Sequence, residues 1–183
     1  MTPRFDKLYK KLLVEMPDVD HHYPTMSYLD GDNKENYDMV LDEDKPVAEF
    51  NGLTVYRGNT ISNKIDYSFL DTTKELIAAK LIIGKDLSID TMWKNKTYNR
   101  TLMQNIIINF VLKHHPHIQS SNRQSPLAKK FWERLIQYGL ENGYACSYVD
   151  SGEEYKIHNM MDFEEQKIHI WPNSAIILKI YSK

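Results

Sequence analysis

Ser120-Ser121-Asn122-Arg123-Gln124-Ser125-Pro126-Leu127-Ala128-Lys129-Lys130-Phe131-Trp132-Glu133-Arg134-Leu135 runs an irregular polar turn directly into an amphipathic helix. Ser125 stands where its hydroxyl can cap the helix by accepting from a free amide of the first turn. Pro126 follows at the first helical position, where its fixed φ suits the helix and no amide proton is lost. Leu127, Ala128, Phe131, Trp132, Leu135 and Ile136 then recur at helical spacing and give one broad apolar face for burial. A polar turn ending at an exposed helix N-terminus can hold an anion or present a catalytic group.

On either side of this helix the period changes to two. Residues 117–120 read as a short strand before it, and residues 144–149 as a strand after it. Upstream, Tyr98, Leu102, Ile106 and Phe110, with Met103, Ile107 and Val111 beside them, mark an apolar helix over 97–115. Residues 87–93 alternate apolar and polar and make a strand ahead of it. Residues 65–70 and 76–83 flank Asp71-Thr72-Thr73-Lys74-Glu75 as the arms of a hairpin, and residues 52–57 supply the first strand. At the other end, 167–171 and 175–181 read as a hairpin about Pro172-Asn173-Ser174. Phe5, Leu8, Leu12 and Leu13 mark a helix that Pro17 stops, and residues 18–46 are an acidic, Tyr-rich connection. The expected class is α+β: a mixed, mostly antiparallel sheet with helices on both faces. Residues 1–46 form the N-terminal helix and acidic connecting segment, and residues 47–183 the domain.

Composition narrows the function. At 183 residues with 42% hydrophobic and 26% charged residues, the chain has the make-up of a globular protein with a sizeable core. No apolar run reaches the roughly 18–20 residues of a membrane span, and the first residues have no signal-peptide pattern, so no membrane is expected. The single cysteine, Cys146, excludes an internal disulfide and fits the reducing cytoplasm; its strand setting suits a small buried side chain rather than a nucleophile. A net charge of −2 gives no general attraction to nucleic acid, whereas Lys94, Lys96 and Arg100 form a local basic cluster suited to a small anion. His114, His115 and His117 sit at a helix end, where they complement the dipole, and no carboxylate or thiolate spacing completes a metal site. Arg123 and Gln124 are turn residues in reach of a ligand.

This order of elements resembles the GNAT superfamily of N-acetyltransferases over roughly residues 47–149. In that family a strand leads into a pyrophosphate loop of the form Arg/Gln-x-x-Gly-x-Gly/Ala, and a later helix carries an Asn-x-x-Ala-x-x-apolar-Tyr run. Trp93-Lys94-Asn95-Lys96-Thr97-Tyr98 takes the place of the loop, and residues 125–132 that of the second run. The Ser120-Ser121-x-x-Gln124-Ser125 string with Trp132-x-x-Leu135 looks most like a divergent phage-encoded branch of the fold. Two departures stand out. Asn95 and Thr97 replace the loop glycines, and Trp132 replaces the tyrosine that protonates the leaving thiolate in many members; indole cannot act as that acid.

The resemblance implies acetyl transfer from acetyl-CoA to an amine in the bacterial cytoplasm. Met92 and Trp93 would lie along the pantetheine arm, and Lys94, Asn95, Lys96, Thr97, Tyr98 and Arg100 would take the pyrophosphate, with Ser125 completing the cofactor contacts. Asp90, between Ile89 and Thr91, would be the general base. Two other functions fit the same resemblance: a catalytically silent phage protein that binds a host protein, and a nucleic-acid-modifying acyltransferase.

Overall fold

The computed structural model describes residues 33–59, 64–121, 125–170 and 176–183. The expected N-terminal helix, the turn residues Arg123 and Gln124, and the Pro172-Asn173-Ser174 turn lie outside them. Helix α1 (Asn33–Glu43) leads into five strands, β1 (Lys45–Phe50), β2 (Leu53–Asn59), β3 (Ile65–Asp71), β4 (Leu76–Ile83) and β5 (Ser88–Lys94). Helix α2 spans residues 102–114, α-helical at Leu102–Ile106 and Leu112–His114 with a π-helical turn at Ile107–Val111 between them. Then come β6 (His117–Ser120), α3 (Pro126–Glu141), β7 (Cys146–Asp150), β8 (Glu153–Ile157), α4 (Met160–Ile170) and β9 (Ile177–Tyr181). The strands form one sheet in the order β1-β2-β3-β4-β5-β6-β9-β7-β8, and every neighbouring pair is antiparallel except β5 and β6. The architecture is therefore α+β with a mostly antiparallel sheet.

Local chemistry explains the hairpins. Asn51 and Gly52, at φ 50° and 77°, make the two-residue turn that joins β1 to β2, with Phe50 opposite Leu53. Ser151 and Gly152 repeat the device between β7 and β8. Pro46, which has no amide to offer a ladder, sits on the edge strand β1 beside a register shift. Strands β1 and β8 were not anticipated from periodicity, because each edge strand exposes most of its residues.

A bulge at Ala78 separates two cores. Phe69 faces Ala79, but Leu70 faces Ile77, so the shift of one residue puts Ile77 with Leu70 on the opposite side of the sheet. On one face Tyr67, Phe69 and Leu81 pack with Phe110 of α2, Trp132 and Leu135 of α3, and Phe163 of α4. Phe110 meets Phe50, Tyr67 and Phe69 edge-on at 5.4–5.9 Å between ring centres. On the other face Tyr37 and Val40 of α1 close over Leu70 and Ile77, with Tyr56, Ile82 and Trp93 at the margin. Part of the stretch expected as connection is thus helical and packed.

Three expectations are corrected. Residues 167–170 belong to α4 rather than to a strand, so there is no C-terminal hairpin; β9 instead lies between β6 and β7. The helix is set at its start, where Asn159 Oδ1 accepts from the Asp162 amide and Asp162 accepts from the His158 amide, while Phe163 and Ile170 turn inward. Leu127 is 79% exposed, because the first turn of α3 projects beyond the core that Trp132, Leu135 and Ile136 fill. Helix α2 begins at Leu102 and not near 97, because residues 95–101 form turns of their own.

Candidate functional site

The one parallel contact in the sheet is short. β5 meets β6 only through Ser88 opposite Gln119 and Ile89 opposite Ser120, with the Gln119 amide donating to Leu87 O at 3.0 Å. β6 then ends at Ser120, while β5 runs on to Lys94. The end of this pairing coincides with a bulge. Ile83 pairs with Ile89 and Ile82 with Thr91, so Asp90 is the extra residue. A bulge ends regular pairing and re-aims its side chain, and it twists the strand away from its neighbour.

Beyond the bulge the hydrogen-bond phase follows from one contact. The Asn95 amide donates to Ala78 O at 2.9 Å, which makes Lys94 and Ala79 a non-hydrogen-bonded pair. Trp93 and Thr91 therefore direct their backbone groups to β4, and Met92 and Lys94 direct theirs to the opposite edge. Among the described residues no strand pairs with that edge. It is a row of amide and carbonyl groups on half-buried residues of β5, beyond the last residue of β6.

Asp90 sits at the head of this row in a compact polar cluster. Its Oδ2 lies 2.6 Å from Lys64 Nζ, and its Oδ1 accepts from the Ser88 hydroxyl at 2.9 Å. The same hydroxyl stands 2.7 Å from Asp86 Oδ1, so its single proton serves one carboxylate at a time. Gln119 Nε2 donates to Asp86 Oδ2 at 3.0 Å. Burial opposes the charge on Asp86, yet hydrogen bonds from Ser88 and Gln119 outweigh it and hold that carboxyl below its ordinary value. Gly84 makes the cluster possible: a Cβ there would stand 2.7 Å from the Ser88 hydroxyl and 2.8 Å from Asp86 Oδ1. Of these partners only Asp90 was singled out from sequence. Lys64 is 26 residues away along the chain and meets Asp90 only across β4, so no local pattern could have indicated it.

The basic loop is built differently from a glycine-rich phosphate cradle. Asn95 Oδ1 accepts from the Thr97 amide and hydroxyl, at 3.0 and 2.9 Å, and Asn95 O accepts from the Tyr98 amide. Asn99 Oδ1 accepts from the Thr101 amide in the same way. Several amides expected to face a phosphate are therefore satisfied within the loop. None of residues 95–101 has a positive φ, so Asn95 and Thr97 stand in place of glycine without backbone strain. Lys94 is committed as well, since its Nζ donates to Asn95 O and Tyr98 O at 2.8 Å each. Tyr98 reaches away from the edge to donate to Asp71 Oδ2 at 2.5 Å, tying the loop to the β3–β4 turn. Trp93 packs beside α1, and Met92 lies against the main core. Lys96 and Arg100 supply the loop's other cationic groups, with Arg100 exposed.

The remaining candidates separate. Ser125 caps α3, its hydroxyl accepting from the Ala128 amide at 3.2 Å. Trp132 is buried in the core, the structural role suited to indole. The three histidines diverge: His114 lies on Phe110, His115 faces Tyr67 and His117 lies tilted against Tyr181. Among the described residues no group of three His, Cys, Asp or Glu side chains could hold a metal ion. Nor is any helix there long and apolar enough to cross a membrane. Two open clefts, of about 550 and 370 Å³, flank Lys113 and His114; their walls include neither Asp90 nor residues 92–100. In comparison with known proteins, the chain matches no family model, no curated protein and no solved structure.

Proposed function

We propose that this chain is a GNAT-like acyltransferase that takes acetyl-CoA in the mouth between β5 and β6 and transfers its acetyl group to an amine. The observation that carries the reading is the bulge at Asp90, where a two-residue parallel contact gives way to a backbone edge at Met92 and Lys94 that no strand among the described residues pairs with. An extended, amide-bearing arm can add to such an edge as a further strand would. When bound, acetyl-CoA supplies the activated acyl group as a thioester. In this reading the outward amide of Met92 would donate to the thioester carbonyl, Asp90 would take the proton of an ammonium beside it, and coenzyme A would leave as its thiolate once the amine has attacked. Lys96 and Arg100 supply the charge for the diphosphate, replacing in part the amides that Asn95 and Asn99 have taken up.

One set of observations favours a second reading, a silent scaffold that binds a protein. Asp90 is already paired with Lys64, and Lys94 is spent within its own loop. Calorimetric titration with acetyl-CoA separates the two. The enzyme reading expects saturable binding that weakens at least roughly tenfold in Lys96→Glu/Arg100→Glu, on the scale of one charge-assisted contact. It further expects Asp90→Asn to bind acetyl-CoA as the parent does while losing roughly 10²–10⁴ in thioester turnover with an amine acceptor. An absence of binding in the parent chain rejects the enzyme and leaves the scaffold.

A further inference from the structure

Beneath the C-terminal end of α1 lies a buried ion pair with a third charged group, Asp44, beside it. Lys80 Nζ on β4 lies 3.0 Å from Asp66 Oδ2 on β3, and both side chains are almost wholly buried. Asp66 Oδ1 and the Ser68 hydroxyl are buried beside them without a hydrogen-bond partner. Asp44, the residue between α1 and β1, lays its carboxylate on Gly58 of β2, so closely that a Cβ at Gly58 would stand 2.4 Å from its Oδ1. The Asp44 amide donates to Val40 O, which fixes this carboxylate to the last turn of the helix. Gly58 is the register partner of Asp66 on β3, so the two carboxylates lie at neighbouring strand positions, and the charges acting on Asp44 are those of Lys80 on β4, Asp66, and Glu43 at the end of α1. At the contact β2 offers Gly58 alone; its neighbour Arg57 is exposed.

We propose that Asp44 is a proton-operated latch on α1: neutral, it lets the α1–β1 corner close on the sheet; ionised, it loosens that corner. The physics is like-charge crowding in a site with one counter-ion already engaged. A neutral carboxyl is half-buried there at less cost than a charged one, since a second carboxylate faces the charges of Asp66 and Glu43 with Lys80 turned to Asp66. Burial, with those two acids, pushes the Asp44 carboxyl up to about 6. The folded state thus holds a proton that the unfolded chain releases near the ordinary 3.8. Its contribution to α1 docking is complete below that value and is lost as pH rises through about 6. The latch bears on the candidate site because Trp93, the register partner of Lys80, packs beside Tyr37 and Val40 of α1. Loosening α1 frees one side of β5 near its open edge. This inference is independent of acetyl transfer.

Hydrogen exchange of the α1 amides between pH 5 and 8, corrected for the intrinsic pH dependence of exchange, tests it on the full chain. The parent should lose roughly tenfold in protection over residues 33–43, with a midpoint just below about pH 6 and a plateau above it. Asp44→Asn, which is neutral throughout, should keep the acid-side protection up to pH 8. Asp66→Asn provides a second variant: it hands Lys80 to Asp44 and should move the midpoint to lower pH. A flat profile in the parent overturns the latch, as does the same midpoint in Asp44→Asn or an unmoved midpoint in Asp66→Asn.

Discussion

Cys146 opens β7 with its sulfur enclosed, 4.0 Å from Ile136 O and 3.1 Å from where a Cβ on Gly139 would stand. Burial pushes its thiol up from the ordinary 9.0 to about 12. Because only the thiolate reacts, its population near neutral pH falls roughly 10³-fold and access falls further. Native protein should therefore resist iodoacetamide at pH 7.5 and label only once unfolded; labelling at the rate of a free thiol would contradict the packing. Glu154 shows the reverse case on the same sheet. Hydrogen bonds from Ser147, Tyr181 and Lys179 pull its carboxyl down to about 2, so it stays charged while holding β7, β8 and β9 together. Burial and hydrogen bonding thus set opposite protonation behaviour at two residues eight positions apart.

At the scale of elements, the decisive features are ends and irregularities. Helix α4 is weakly amphipathic in sequence, but the reciprocal bonds among His158, Asn159 and Asp162 fix its first turn. Asn159→Ala should cost about 1 kcal/mol by the usual scale for a lost cap. Denaturant unfolding would read that cost, with faster exchange confined to the start of α4; an unchanged midpoint would mean that packing of Phe163 alone holds the helix. The bulges at Ala78 and Asp90 do comparable work within strands. One switches Ile77 between cores, and the other ends the pairing of β5 with β6. A polar run such as Trp93–Tyr98 gives residue types but not which amides its own asparagines will occupy. That is why the basic cluster was legible and the committed role of Lys94 was not.

Over the whole molecule, the sheet carries an apolar core on one face and a smaller core mixed with buried charge on the other. The Lys80–Asp66 pair is costly to the second face, since both ions are almost wholly kept from water. Lys80→Met should leave Asp66 uncompensated and destabilise the chain by about 3–5 kcal/mol. Lys80→Met/Asp66→Asn should recover much of that loss, because the isolated charge is gone. A chemical-denaturation double-mutant cycle measures both, and a double variant no better than Lys80→Met would show that the pair does not act as a unit.

The sequence by itself determined the parts whose signal is local. The Ser125-Pro126 start of α3, the bounds of β4 and β6, the inward turn of Trp132 and the α+β class follow from capping chemistry and side-chain period over a few residues. Tertiary structure alone decided the rest. Lys64 meets Asp90 because β4 brings β3 and β5 within reach of one another, and Asp44 comes beside the strand position of Asp66 because the α1–β1 corner folds onto Gly58 of β2. Such contacts join residues distant in the chain, and their energies depend on the burial that assembly creates. Side-chain period carries neither quantity, so the carboxylates were visible in the sequence and their partners and protonation were not.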